Sequence, residues 1–258
     1  MLETLAIITG TAVAIGLVGG YYAAYSIRSQ VFGKTIWRGK TNSKAIALTF
    51  DDGPSEDTES VLDVLREYDV KATFFMIGSQ VERLPDVARR VVREGHQIGN
   101  HSLSHSIYLY QAPSATKREL EESQQVIARV TGVTPTVARP PCGVRTPVYF
   151  ATARRLGLKT IQWTVTGFDW KPISAKEIAE NVLKEVLPGS IVLLHDGDDT
   201  LKSNRVETTR ALPLIIEGVR SKNLKITALK ELCGESDQPV LHAEPVRVAD
   251  DNIYEKSH

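Results

Sequence analysis

Two aspartates stand side by side in Thr49-Phe50-Asp51-Asp52-Gly53-Pro54, where an apolar run ends in a turn. Turn chemistry accounts for part of this, since Asp and Gly favour turns and Gly-Pro interrupts a strand. Adjacent carboxylates repel, so the pair is tolerable only where one of the charges has a partner. His101 and His105, in His-Ser-Leu-Ser-His, offer a route to one. Four residues apart, they share a face if the segment is helical and can bind one metal. Two imidazoles with a carboxylate from another strand suit Zn²⁺ and keep a position open for water. A divalent cation held by Asp52, His101 and His105 would neutralise Asp52 and free Asp51 for another role. Three further segments carry unusual polar groups: Arg139 in Arg-Pro-Pro-Cys-Gly, Asp169 with Trp170 in Phe-Asp-Trp, and His195 in Leu-Leu-His-Asp.

Such groups need elements to hold them. Strand-like runs occur at 45–50, 71–78, 96–102, 136–141, 158–165, 190–196 and 224–229. Amphipathic stretches alternate with them, at 55–69, 84–95, 114–132, 146–157, 174–189 and about 207–220. Pro85 and Gly95 punctuate one of these as a helix, and Ser55 and Ser174 are expected N-caps. The alternation predicts an α/β fold with a mostly parallel sheet, which right-handed crossovers can close into a barrel. Asp51 and Asp52 follow the first run, His101 and His105 the third, and Arg139 ends the fourth. Asp169 and Trp170 follow the fifth, and His195 ends the sixth. In parallel neighbours all of these converge on one rim, where such barrels gather catalytic residues.

The chain of 258 residues balances 31 basic against 31 acidic side chains, so no nucleic-acid partner is expected. Two cysteines, Cys142 and Cys233, are too few for a disulfide framework. Residues 5–25 carry no charge. That length crosses a hydrocarbon core of about 30 Å as a helix, which predicts one transmembrane anchor. Tyr21, Tyr22 and Tyr25 would sit at one membrane interface, followed by a basic linker over 26–42. Residues 233–258 are polar and predict a flexible extension. His96, on a strand-like run, is expected to be structural, and His242 and His258 incidental.

In order, TFDDGP, HSLSH, RPPCG, FDW and LLHD resemble the five motifs of the polysaccharide deacetylases, the NodB-homology or carbohydrate esterase 4 family. The resemblance covers residues 43–232. It implies a distorted (β/α) barrel, here of seven strands, and a metal-dependent N-deacetylase acting on N-acetylglucosamine-containing polymers. By motif position, Asp51 is implied as the general base, oriented by Arg139. Asp52, His101 and His105 are implied as ligands of one divalent ion, Zn²⁺ first, with Co²⁺, Mn²⁺ or Ni²⁺ as alternatives. His195, paired with Asp169, is implied as the general acid. Pro141, Cys142, Gly143, Trp170 and Leu193 are expected to line the substrate groove, a backbone N–H near Cys142 serving the oxyanion.

Two positions depart from the family pattern. Cys142 replaces a usually aromatic residue, and Thr166 stands where many members have Asp. Both are expected to alter substrate fit and to spare the ligands, base and acid. The resemblance also favours the outer face of a membrane, where acetylated wall polymers occur. Arg28, Lys34, Arg38 and Lys40 favour the cytoplasmic side instead. Large domains translocate despite such charges, so the outer face is expected. Two rival readings keep the same residues, an O-acetyl esterase on a xylan-type glycan and a catalytically silent glycan-binding domain. A haloacid-dehalogenase-type phosphatase is set aside, because its two acids sit two apart and these are adjacent.

Overall fold

The computed structural model describes residues 2–202 and 204–234, the side chains of residues 2–8 and 12 excepted. Its elements run α1 (Leu2–Tyr25), β1 (Thr35–Ile36), β2 (Ala45–Asp51), α2 (Glu56–Glu67), β3 (Thr73–Met76), α3 (Gly78–Arg83), α4 (Pro85–Arg93) and β4 (Gln97–Asn100). There follow α5 (Pro113–Thr131), β5 (Val137–Ala138), α6 (Pro147–Arg155), β6 (Lys159–Ile161) and β7 (Val165–Thr166). The last are α7 (Ala175–Glu185), β8 (Ile191–His195), α8 (Val206–Ser221), β9 (Lys225–Ile226) and α9 (Leu229–Leu232).

Every strand pairing is parallel, in the order β1-β6-β5-β4-β3-β2-β8-β7, with β9 added beside β2. The sheet curls into an incompletely closed (β/α) barrel whose edges are β1 and β7. Thr164 spans that gap. Its Oγ1 donates to the Trp37 carbonyl at 2.7 Å and accepts the Ile191 N–H at 3.2 Å.

All seven residues of β2 are buried, as befits a parallel strand covered on both faces. Its outward side chains Ile46, Leu48 and Phe50 join Leu62 and Leu65 of α2 and Leu212 and Ile216 of α8 in one core. Each fully buried side chain of this size contributes roughly 1.5–3 kcal/mol by leaving water. The inward positions Ala45 and Ala47 are small and pack with Phe75, Val137, Ile161 and Ile191 inside the barrel. On that inward face the next alternate positions are Thr49 and Asp51. The pleat therefore aims Asp51 into the mouth of the barrel.

Local punctuation matches the sequence. Ser55 with Thr58, and Ser174 with Glu177, form reciprocal capping boxes at α2 and α7. Pro85 opens α4, and Gly132 closes α5 in the left-handed conformation.

Three expectations need correction. The described residues hold nine strands, not seven. The run at 158–165 breaks into β6 and β7, because the Gln162 N–H turns to the Ile36 carbonyl and the Thr164 N–H to that of Ile191. Residues 26–42 are not a plain linker: Thr35 and Ile36 pair with Thr160 and Ile161. Finally, residues 5–25 do lie within one helix, α1. Among the described residues, however, no helix is long and apolar enough to cross a membrane. The last turn of α1 instead buries Ala23 and Ala24 against the folded domain. The tail expected over 233–258, with His242 and His258, lies from residue 235 onward outside the described residues.

Candidate active site

The ends of β2, β4, β5 and β8 bring the polar residues to one rim. Asp52 leaves β2 with φ 72°, a left-handed conformation that Asp tolerates better than most residues. Its Oδ1 lies 3.3 Å from His101 Nε2 and 3.2 Å from His105 Nε2. His101 and His105 do not sit on a helix as their spacing suggested. A tight loop joins them, with Ser102 and His105 themselves left-handed at φ 69° and 59°. The Ser102 Oγ accepts the His105 N–H, and Glu119 accepts the N–H groups of Leu103 and Ser104. The loop is thus tied at several points.

The three side chains fit a divalent ion. One ligand atom from each of Asp52, His101 and His105 falls within 4.8 Å of the others. His101 Nδ1 donates to the Arg139 carbonyl at 2.7 Å, and His105 Nδ1 pairs with Asp199 Oδ2 at 2.8 Å. With the Nδ1 atoms so engaged, both Nε2 lone pairs face Asp52, the usual outer-shell arrangement of metal-binding histidines. Asp52 Oδ1 is buried with no hydrogen-bond partner among the described residues. Burial opposes its ionisation, but when protonated the imidazoles of His101, His195 and His105 outweigh that and hold the carboxyl far below the usual carboxylate range. Asp199 was missed in the sequence, where it is one of several acids in a loop. Asp199→Ala is expected to weaken Zn²⁺ binding by about 10- to 100-fold, measured by competition with a chelating dye.

Arg139 is the second hub. Buried in the barrel, its Nη1 donates to Asp51 Oδ1 at 2.7 Å and to Thr49 Oγ1 at 2.9 Å. Nη2 donates to the Gln162 carbonyl at 3.1 Å, and the guanidinium lies 4.2 Å from the Phe75 ring centre. These contacts leave Asp51 little freedom to turn.

The third group is Asp169 with His195. Register sets His195 directly opposite Asp51 across β2 and β8. His195 Nδ1 bonds Asp169 Oδ1 at 2.9 Å, while Asp169 Oδ2 accepts the His195 N–H and the Thr208 hydroxyl. Burial would lower the imidazole pKa, but Asp169 overrides it and pushes His195 up to about 9.

The expected groove residues fall around these groups. Trp170 is exposed and stands edge-on to His195, ring centres 5.4 Å apart. Leu193 is buried on the inward face of β8, two residues below His195. Pro141, Cys142 and Gly143 form a short turn whose last two residues are left-handed, at φ 51° and 68°. A Cβ at position 143 would lie 2.7 Å from the Trp163 ring, so the glycine is required twice over. Cys142 is a free, exposed cysteine. His96, by contrast, is buried away from this rim and accepts the Ala72 N–H, as a structural residue should. A cavity of about 700 Å³ lined by Phe32, Phe150 and Leu158 contains none of these groups.

Comparison with known proteins gives this arrangement a context. The family model for polysaccharide deacetylase matches residues 38–161. The peptidoglycan-N-acetylglucosamine deacetylase PgdA of Listeria monocytogenes is 38% identical over 202 residues, covering 78% of this chain and 41% of that protein. This chain therefore spans less than half the length of that relative. A peptidoglycan-N-acetylglucosamine deacetylase of Bacillus cereus is 34% identical over 203 residues, 78% of this chain and 93% of that protein. The crystal structure of Bc1960, a peptidoglycan N-acetylglucosamine deacetylase bound to a naphthyl N-hydroxybenzamide, superposes with a TM-score of 0.75 at 32% identity. That match covers 79% of this chain and 94% of the other. With such coverage of whole relatives, the chain belongs to the polysaccharide deacetylase family.

Proposed function

We propose that this chain hydrolyses N-acetyl groups of an N-acetylglucosamine-containing glycan, peptidoglycan or a chitin-like polymer. The observation that carries the reading is the single rim shared by Asp51 with Arg139, the Asp52–His101–His105 group, and Asp169 with His195. Asp52, His101 and His105 would hold one divalent ion, Zn²⁺ first. Such an ion polarises the amide carbonyl and lowers the pKa of water toward neutrality.

The chain's own residues supply the remainder. Asp51, held by Arg139, accepts the proton of the attacking water. The backbone N–H of Cys142 donates to the developing oxyanion. His195, kept protonated by Asp169, hands a proton to the departing amine, which leaves poorly without one. Trp170 and Leu193 border the acetyl group, and Pro141, Cys142 and Gly143 the sugar.

Acetate release from chitooligosaccharide, peptidoglycan and acetylxylan, each with added Zn²⁺, Co²⁺ or Mn²⁺, tests the reading. Acetate from an N-acetylated glycan, abolished by chelation, is expected. No acetate from any of the three, at full metal loading, would point to a silent glycan-binding domain.

The acid role carries a pH signature. Because Asp169 raises the pKa of His195 to about 9, the protonated acid persists below that pH and is lost as pH rises through it. The alkaline limb of kcat is expected near pH 9, and Asp169→Asn should move it to lower pH. An unmoved limb would assign it to another group.

We also propose that the domain, residues 43–232, works on the outer face of a membrane. Its support is the peptidoglycan, a cell-wall polymer, on which the named relatives act. Protease added to spheroplasts should digest the domain. Protection until the membrane is lysed would place it inside.

A further inference from the structure

The last turn of α1 is built into the loop that closes the candidate site. Ala23 and Ala24 are buried, and the Arg145 N–H donates to the Ala24 carbonyl at 3.1 Å. The Arg145 side chain is itself completely buried. Its charge is met by carbonyls: Nη2 donates to Ser26 at 2.5 Å and Ala23 at 3.4 Å, and Nη1 to Gly143 at 3.0 Å. The carbonyls at a helix C-terminus carry the negative end of its dipole and suit a cation. A buried guanidinium stripped of them would be left uncompensated, which is strongly destabilising. The helix end and Arg145 therefore need each other.

The same guanidinium reaches the site through one atom. The Gly143 carbonyl accepts from Arg145 and, at 3.0 Å, from Gln162 Nε2. It belongs to the turn in which Cys142 holds φ 51° and Gly143 φ 68°. A non-glycine residue persists in that region only where its surroundings over-determine it. Here the surroundings are Gln162, from the barrel, and Arg145, backed by the docked helix. Nearer the surface the docking continues: the Tyr25 and Tyr110 hydroxyls are 2.9 Å apart, and Tyr21 stacks on Tyr25 at 4.6 Å.

We infer that Arg145 is a positioning residue that couples the docked end of α1 to the Cys142–Gly143 turn, making the helix end a structural part of the site. The coupling stands on geometry alone, and its effect on turnover rests on the deacetylase reading. A Cys142 N–H aimed at an oxyanion takes its direction from this turn, so releasing the helix end should cost kcat and leave substrate affinity nearly intact.

The test uses the full chain and the variants Arg145→Ala, Arg145→Lys and Ala24→Leu. The last enlarges a buried side chain at the helix end, which should push that end outward while leaving residues 141–145 unsubstituted. Hydrogen exchange is followed in peptides covering 20–30 and 139–147, with acetate release and metal content measured in parallel. In Arg145→Ala and Ala24→Leu both segments are expected to exchange about tenfold faster or more, with β2 and β8 unchanged. Metal content should hold while kcat falls by about 10²-fold and KM changes little. Arg145→Lys should recover part of both effects, since it keeps the charge but lacks the directed fork of donors. Faster exchange in 20–30 with 139–147 still protected would overturn the coupling. So would wild-type kcat in Ala24→Leu with its helix end released. If the wild-type protein releases no acetate from any glycan, the deacetylase reading fails, and the exchange results decide the coupling by themselves.

Discussion

Replacing Asp51 by Asn is expected to lower kcat for acetate release by about 10²- to 10⁴-fold while the protein keeps its metal. The amide is nearly isosteric and can still accept from Arg139 Nη1, now 2.7 Å from Asp51 Oδ1. It cannot take a proton from water. His101→Ala removes a nitrogen that faces Asp52 at 3.3 Å, and should lower metal content itself. Metal analysis of the purified variants separates the two cases. Equal metal loss in Asp51→Asn and His101→Ala would mean that the adjacent acids had exchanged roles. The structure gives a reason to expect otherwise, because Asp51 already spends an oxygen on Arg139, whereas Asp52 Oδ1 faces both imidazoles and accepts no hydrogen bond among the described residues.

The second large effect separates amide from ester chemistry. His195→Ala is expected to cost an N-acetylated sugar about 10²- to 10⁴-fold in kcat/KM, and an activated aryl acetate far less. An amine must be protonated to depart, whereas a phenolate leaves unaided. The variant leaves Asp169 with the Thr208 hydroxyl and the backbone N–H of residue 195, so the local fold has support. Parallel assays on the two substrates give the ratio. Equal losses on both would show that His195 positions the acetyl group and transfers no proton, and would bring the esterase reading level with the amidase one.

Much of this site was legible in the sequence because strand ends in a parallel barrel are predictable. Asp51, Arg139 and His195 each close an apolar run, and the period-two pleat then decides which way they point. Loop geometry was less legible. The four-residue spacing of His101 and His105 reads as helical, yet Ser102 and His105 adopt positive φ, and no local pattern announces it. Asp199, Gln162 and Arg145 were missed for a related reason. Each acts through a partner distant in the chain: His105 for Asp199, Gly143 for Gln162, and Ala23 and Ser26 for Arg145. Single-residue types carry no mark of such pairings. Strand β1 escaped notice because two residues in a basic stretch show no period at all. The end of α1 was read by its composition, which cannot distinguish a turn in lipid from one packed on protein.

Strand β1 also bears on how the protein can be cut. A fragment beginning at residue 42 would remove Thr35, Ile36 and Trp37 together. The Gln162 N–H would lose the Ile36 carbonyl and the β1-facing groups of Thr160 their ladder, and Thr164 would lose its acceptor across the gap. An uncovered strand edge is a template for pairing with another chain. Such a fragment should self-associate as it is concentrated, through β6, even though every candidate metal ligand and catalytic side chain is still present. A cut placed before the last turn of α1 keeps the edge covered and should stay dispersed.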